Sequence, residues 1–309
     1  MVVVGGLTTR QQEAGGYLAV QGRKRLAGAG RRSSRRRTVA PVWEPAEIDT
    51  TVPHASRIYD YLLGGTTNFG VDREMAETVF GSVYAGGSAE ARSDVRANRA
   101  FLGRAVRYVS EAGIRQFLDI GTGIPTEENV HEVAQRLAPE SRVVYVDYDL
   151  IVQAHAAHLL DSTREGATAY LTSDLREPEK ILHQAAATLD FGQPIALMLV
   201  AILHVIPDED DAYGIVRRLL DALAPGSYLV LSHLASDINA EEMAEAMRQL
   251  NQSTHETFFL RDRSEVARFF DGLEMAQSDV VPVDLWRPTE PLAPGQRITP
   301  IYGAVARKV

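Results

Sequence analysis

The sequence predicts an α/β protein: a doubly wound, seven-stranded, mostly parallel sheet with a helical cap ahead of it. Three observations lead there. After Gly113, short apolar runs alternate five times with segments of helical periodicity, the pattern of right-handed strand–helix–strand crossovers. The run at 194–200, PIALMLV, is apolar on both faces, as a strand in the middle of a parallel sheet has to be. Before the first run, the chain carries helical patterns and no strand.

Residues 1–45 are rich in Gly, Ala and Arg. They read as a disordered basic tail, because AGAGRRSSRRR has little apolar surface to bury. Its alternatives are an arm for nucleic acid or an acidic partner, and a solvated extension translated from upstream of the natural start. Residues 46–112 read as the cap. Two short helical patterns flank Gly64-Gly65-Thr66-Thr67-Asn68, and Phe101, Leu102, Ala105, Val106 and Val109 give a third helix one apolar face. The core, 113–309, is expected to place strands at 115–120, 142–147, 168–174, 194–200 and 227–233. Asp208 and Asp211 read as a capping pair for the helix carrying Ile215, Val216, Leu219 and Leu220. Helices at about 238–252 and 263–271 lead to two late strands, DVVPVDLW and PIYGAVARK, the last inserted antiparallel. The stretch between them carries Pro288, Pro291 and Pro294 and no helical period.

Composition narrows the function classes. The chain of 309 residues is 45% hydrophobic and 24% charged, an ordinary globular balance. No run nears the roughly 20 apolar residues of a membrane span, and MVVVGGL is too short for a secretory signal core. The absence of cysteine excludes disulfides, thiolate catalysis and Cys-ligated metal, and fits a cytoplasmic protein. Residues 1–37 carry nine Arg/Lys against the single acid Glu13, so the net charge of −9 conceals a strongly acidic body. Such a body is a poor surface for nucleic acid, which leaves a small molecule as the default partner.

FLDIGTGIPTEENVHEVAQ carries the chemistry. In an open α/β sheet, ligands lie beyond the carboxyl ends of the strands, where Asp119, Gly121 and Gly123 fall. Gly121 admits a backbone conformation closed to other residues, and Gly123 lets a ligand approach the main chain. Asp147 ends the second strand, where a carboxylate can accept from both ribose hydroxyls. Asp174 ends the third, where an acid can accept from an adenine amine. Each acid alone reads equally well as a helix cap or a solvated strand end; three on consecutive strand ends point to an adenosine. A dinucleotide fingerprint would continue to a third glycine or alanine, but this chain has Pro125 and then Thr126. Placed at the first helical turn, the proline removes a backbone donor where a pyrophosphate needs one. The cationic, phosphate-free S-adenosyl-L-methionine suits an acidic site better than NAD.

SRIYDYLLGGTTNFGVDRE, FLDIGTGIPTEENVHEVAQ, RVVYVDYD, VAILHVIPDEDD…LAPGSYLVLSH, FFDGLEM and WRP together resemble the S-adenosyl methyltransferase family first catalogued as a bacterial domain of unknown function. The resemblance runs from about Pro53 to the C-terminus. It implies a class I, Rossmann-like methyltransferase fold with S-adenosyl-L-methionine as cofactor. It places Asp119, Gly121 and Gly123 on the methionine side, Asp147 on the ribose, and Asp174 with Leu175 on the adenine. The proline in place of the usual third glycine belongs to this family's own D-x-G-x-G-x-P-T pattern.

The segment ahead of the first strand reads either as a lid hinged at Gly64-Gly65 or as a helix pair packed on the sheet by internal ion pairs. As a lid it would bring Arg57 and Asp72 to the cofactor, with Arg57 or Arg73 on a carboxylate. His204 and His233, after the fourth and fifth strands, are candidate general bases, or else structural hydrogen-bonding histidines. The acids at 208–211 beside His204 read as helix-start caps, so no metal is expected. The expected activity is methyl transfer to a small-molecule acceptor. The alternatives are a non-catalytic S-adenosyl ligand binder that regulates a partner and an NAD-dependent oxidoreductase.

Overall fold

The computed structural model describes residues 49–156 and 161–309, and the backbone of 17–21. With strands and helices numbered along the chain, the central parallel set is β2 (Gln116–Ile120), β3 (Arg142–Asp147), β4 (Ala167–Thr172), β5 (Ala196–Val200) and β6 (Tyr228–Leu234). Each lies within two residues of the expected run. β2 pairs in parallel with both β3 and β5, β3 with β4, and β5 with β6. The switch point is therefore at β2, where successive crossovers turn in opposite directions. Its side chains alternate between two cores. Leu118 and Ile120 face one apolar layer with Val144, Leu197 and Leu229, while Phe117 faces the other with Val143, Ala196 and Val230.

Among the described residues, nine strands make up the sheet, two more than the seven expected. β9 (Ile301–Arg307) inserts antiparallel beside β6 as expected. The late strand beyond it is broken into β7 (Glu274–Met275) and β8 (Val281–Pro282), both antiparallel to β9. Between them Asp279 turns to the Arg263 guanidinium, and the pairing resumes where Val283 N–H donates to the Ile301 carbonyl at 2.9 Å. At the other edge, β1 (Tyr17–Gln21) pairs antiparallel with β4. This corrects the expectation of disorder throughout the tail. An edge strand offers a row of unpaired backbone groups, and five residues suffice to use them. The basic clusters of the tail lie outside the described residues.

Among the described residues, three helices precede β2: α1 (Ala55–Leu63), α2 (Gly70–Val83) and α3 (Ser88–Glu111). Gly64, at φ 93°, ends α1, and Gly65 N–H reaches back to the Asp60 carbonyl at 2.8 Å. α3 outruns its expected apolar stretch by nine residues at its start and works on two surfaces. Its second half packs Phe101, Ala105, Val106 and Val109 on the sheet. Its first half joins Ile58, Leu62, Val79 and Phe80 in a separate apolar cluster, to which α8 (Ala240–Ser253) adds Met243, Met247 and Leu250. The cap is thus completed by a helix that follows β6. Among the described residues, no helix is long and apolar enough to cross a membrane.

Candidate active site

A cleft opens at the carboxyl ends of the parallel strands, in two connected parts of about 460 and 170 Å³. The larger is lined by Asp147, Tyr148, Ser173, Asp174, Leu175 and Arg176. The smaller lies between β2 and the cap and is lined by Asp119, Gly121, Gly123, Tyr59, Asn98 and Arg99 among others. The three acids, two glycines and Leu175 expected at the strand ends, Asp119, Asp147, Asp174, Gly121, Gly123 and Leu175, therefore line the two parts of one cleft.

Their surroundings differ. Asp119 is buried at the end of β2, and its carboxylate accepts no hydrogen bond from the described residues. Burial raises its pKa to about 7, with Arg99 pulling it down and Asp147 pushing it up. Asp147 accepts from Gly123 N–H and from Asp149 N–H, each at 2.9 Å. It thereby ties the glycine turn to the end of β3. Desolvation outweighs those two bonds and raises its pKa to about 6. Gly121 has φ 78°, and a Cβ there would meet Ile202 at 2.5 Å. At Gly123, φ 66°, a Cβ would meet nothing within 4 Å. The chain leaves this spot open, to solvent or to a ligand.

Pro125 lies in a loop, not in a helical turn: α4 (Val130–Leu137) starts five residues later. Its N-terminus is closed by a capping box in which Asn129 N–H donates to Glu132 at 2.8 Å. A carboxylate already occupies the end where a pyrophosphate would bind, a stronger argument against a dinucleotide than the missing proline donor.

Four expectations need correction. Arg57 is 1% exposed and pairs with the fully buried Asp72 at 3.1 Å. It also donates to the carbonyls of Asp49 and Val52, so neither Arg57 nor Asp72 lines the cleft. Their charges answer each other inside the cap. Arg73 binds Asn68 on the outer face. His233 is fully buried, its Nε2 at 2.7 Å from Arg261 and its Nδ1 at 2.8 Å from the Leu234 carbonyl. With both nitrogens engaged away from the cleft, it has no proton-transfer path there. Asp208 caps nothing: it pairs with Arg261 at 2.7 Å, and Asp211 alone caps α7 (Ala212–Asp221).

His204 stands in the cleft wall, stacked on Phe258 at 5.5 Å. Burial, with Arg261 adding to it, lowers its pKa to about 4, so the ring is neutral at pH 7. Its buried Nδ1 has no hydrogen-bond partner among the described residues.

Other cleft residues had no reading from the sequence. Arg99 places a guanidinium beside Asp119 and holds the Glu127 carbonyl at 3.1 Å. His54 lines both parts of the cleft and bridges Glu256 at 2.7 Å and Asp149 at 3.3 Å. Ser56 adds a bond to Asp149 at 2.9 Å. The start of the cap is thereby latched to the turn after β3 and to the strap at 255–259. Burial opposes a charge on His54, but the Glu256 hydrogen bond and Asp149 outweigh it and raise its pKa above the usual 6.5. Glu256 is held below its usual 4.5: burial pushes it up, and His54 more than offsets that. A raised histidine pKa gives stability that is complete below the unfolded value and is lost as pH rises through the folded one. The difference in Tm between the wild type and Glu256→Gln should therefore be largest between pH 4.5 and 6.5. It should shrink above that range; a gap that widens with pH would mean the latch is not an ion pair.

A mostly parallel sheet with a cleft at its carboxyl edge, three adjacent strands each ending near an acid, defines a Rossmann-like α/β protein. The chain belongs to the S-adenosyl methyltransferase family, whose sequence profile matches residues 41–309. It is similar to the crystal structure of a DUF574 family protein from Streptomyces avermitilis, at 44% identity and TM-score 0.78, over 84% of this chain and 99% of that one. A candidate methyltransferase from Thermobifida fusca shares 36% identity at TM-score 0.75, over 86% and 99% of the two chains. Among curated proteins, none matches the chain.

Proposed function

We propose that the chain transfers a methyl group from S-adenosyl-L-methionine to a small molecule, holding the cofactor along the cleft over β2, β3 and β4. The observation that carries this reading is that Asp119, a buried carboxylate with no hydrogen-bonding partner among the described residues, lines the same part of the cleft as Arg99 and Gly123. Together they match both charges of an amino-acid end. Asp119 faces the cation and Arg99 takes the carboxylate role expected of Arg57 or Arg73. Asp147 accepts from the ribose hydroxyls, and Asp174 with Leu175 holds the adenine, with Tyr148 alongside. When bound, the cofactor supplies a methyl group already activated on a sulfonium. What remains for the chain is to hold the acceptor in line and exclude water. His204, neutral and in the cleft wall, accepts the acceptor's hydrogen bond on its ring and takes its proton.

Calorimetric titration with S-adenosyl-L-methionine, S-adenosylhomocysteine and NADH tests the cofactor. Micromolar binding of the first two and none of NADH is expected; binding of NADH alone would overturn the reading. With an acceptor in hand, His204→Ala should lower turnover about 100-fold, the low end of a general base's contribution. Its affinity for S-adenosylhomocysteine should stay near that of the wild type. If affinity falls with turnover, His204 is a wall of the cofactor site and not the base.

A further inference from the structure

Resting on that reading, we infer that the apolar chamber beneath the helical cap is the acceptor site, and that it takes a small, neutral, monocyclic hydroxy compound of the phenol class. The chamber measures about 100 Å³ and is enclosed by α1, α2, α3 and α8, with Ile58, Leu62, Phe80, Val95, Met243 and Met247 in its wall. It opens onto the cofactor cleft rather than onto a separate face. Ala55, Tyr59, Asn98, Ala201, His204 and Phe258 line both cavities.

Three features specify the guest. The first is size and polarity. An apolar cavity of about 150 Å³ holds a benzene-sized molecule and stays dry without one. At about 100 Å³ this chamber is smaller than that, so, with the neck beside it, it admits a single ring and not a fused or polymeric acceptor. The second is charge. The charged side chain in the wall, Asp94, is held by Arg297 through two bonds of 2.8 and 3.0 Å. A charged guest would therefore meet no unpaired counter-ion and would lose its hydration uncompensated. The third is the neck. His204 lines both cavities, and a neutral imidazole can bond a hydroxyl presented there. The opposite side of the neck is fixed. Ala201 N–H donates to Ser232 Oγ at 3.0 Å, Ser232 donates to Asn98 Oδ1 at 2.7 Å, and Asn98 Nδ2 donates to Tyr59 at 3.0 Å. A ring in the chamber thus presents its hydroxyl to His204, facing the cofactor cleft.

The probe is p-cresol, titrated by calorimetry and by saturation-transfer NMR, with and without saturating S-adenosylhomocysteine. The wild type should bind it, and 2-naphthol should bind at least about tenfold more weakly. Val95→Phe, which fills the chamber outside the cofactor cleft, should weaken p-cresol at least tenfold and leave S-adenosylhomocysteine affinity unchanged. Met247→Ala enlarges the chamber and should admit 2-naphthol; this variant decides the matter if Val95→Phe does not fold. Equal p-cresol binding by wild type and Val95→Phe, no binding by the wild type, or no gain of 2-naphthol by Met247→Ala would each overturn the inference. Failure of S-adenosylhomocysteine to bind would instead overturn the cofactor reading.

Discussion

Asp147→Ala is expected to weaken S-adenosylhomocysteine binding about 100-fold or more. One carboxylate bonding both ribose hydroxyls makes two charge-assisted hydrogen bonds, each worth about 1.5–3 kcal/mol, and about 2.7 kcal/mol already corresponds to that factor. A second loss adds to it. The side chain also holds Gly123 N–H and Asp149 N–H at 2.9 Å, so its removal frees the glycine turn on which the methionine end would rest. Asp147→Asn separates the two effects. It keeps an acceptor for one backbone donor but loses the charge and the second acceptor, and should weaken binding about tenfold. Calorimetry of the three proteins side by side is the measurement. If Asp147→Ala binds within threefold of the wild type, the ribose does not lie on this acid, and the cleft must be occupied in another direction.

The strand ends were legible because the first three apolar runs each stop at an acid or a glycine, and a parallel sheet aligns those stops on one edge. Asp119, Asp147 and Asp174 could therefore be placed together from spacing alone. Partner choice was not legible. Arg57 and Asp72 lie in a segment that also holds Arg73, Asp60 and Asn68, and no periodicity says which charge turns inward. Arg99 belongs to the polar side of an amphipathic pattern, which sequence reading assigns to solvent; the β2–α4 turn folding over α3 makes it a cleft residue. His54 and Glu256 are separated by about two hundred residues and meet only because α8 returns to complete the cap. Pro125 was misplaced because the apolar period begins at Val130, and a loop of capping residues before it has no period to reveal its length.

The cap should prove the most fragile part of the fold to a single charge deletion. Arg57 is 1% exposed and Asp72 is fully buried, so each was desolvated at a cost that only the partner offsets. Asp72→Ala leaves a buried guanidinium with two backbone carbonyls and no counter-charge, and breaking such a pair costs about 3–5 kcal/mol. It also orphans two backbone donors. Phe69 N–H, at the start of α2, loses a 2.8 Å bond, and His54 N–H, just ahead of α1, loses one of 3.0 Å. At about 2–4 °C of Tm per kcal/mol for a domain of this size, the expected drop is about 10 °C or more. Asp72→Asn, which preserves acceptor geometry for one of those donors, should lose less. Pairing Asp72→Ala with Arg57→Met should recover part of the loss, because removing both charges cancels the desolvation cost while leaving the orphaned donors. Thermal unfolding of the four proteins closes the double-mutant cycle. Were Arg57 instead a cofactor ligand, Arg57→Met would lower S-adenosylhomocysteine affinity with little change in Tm. The buried pair predicts the reverse: Tm falls, and the cleft, which neither side chain lines, keeps its affinity wherever the cap remains folded.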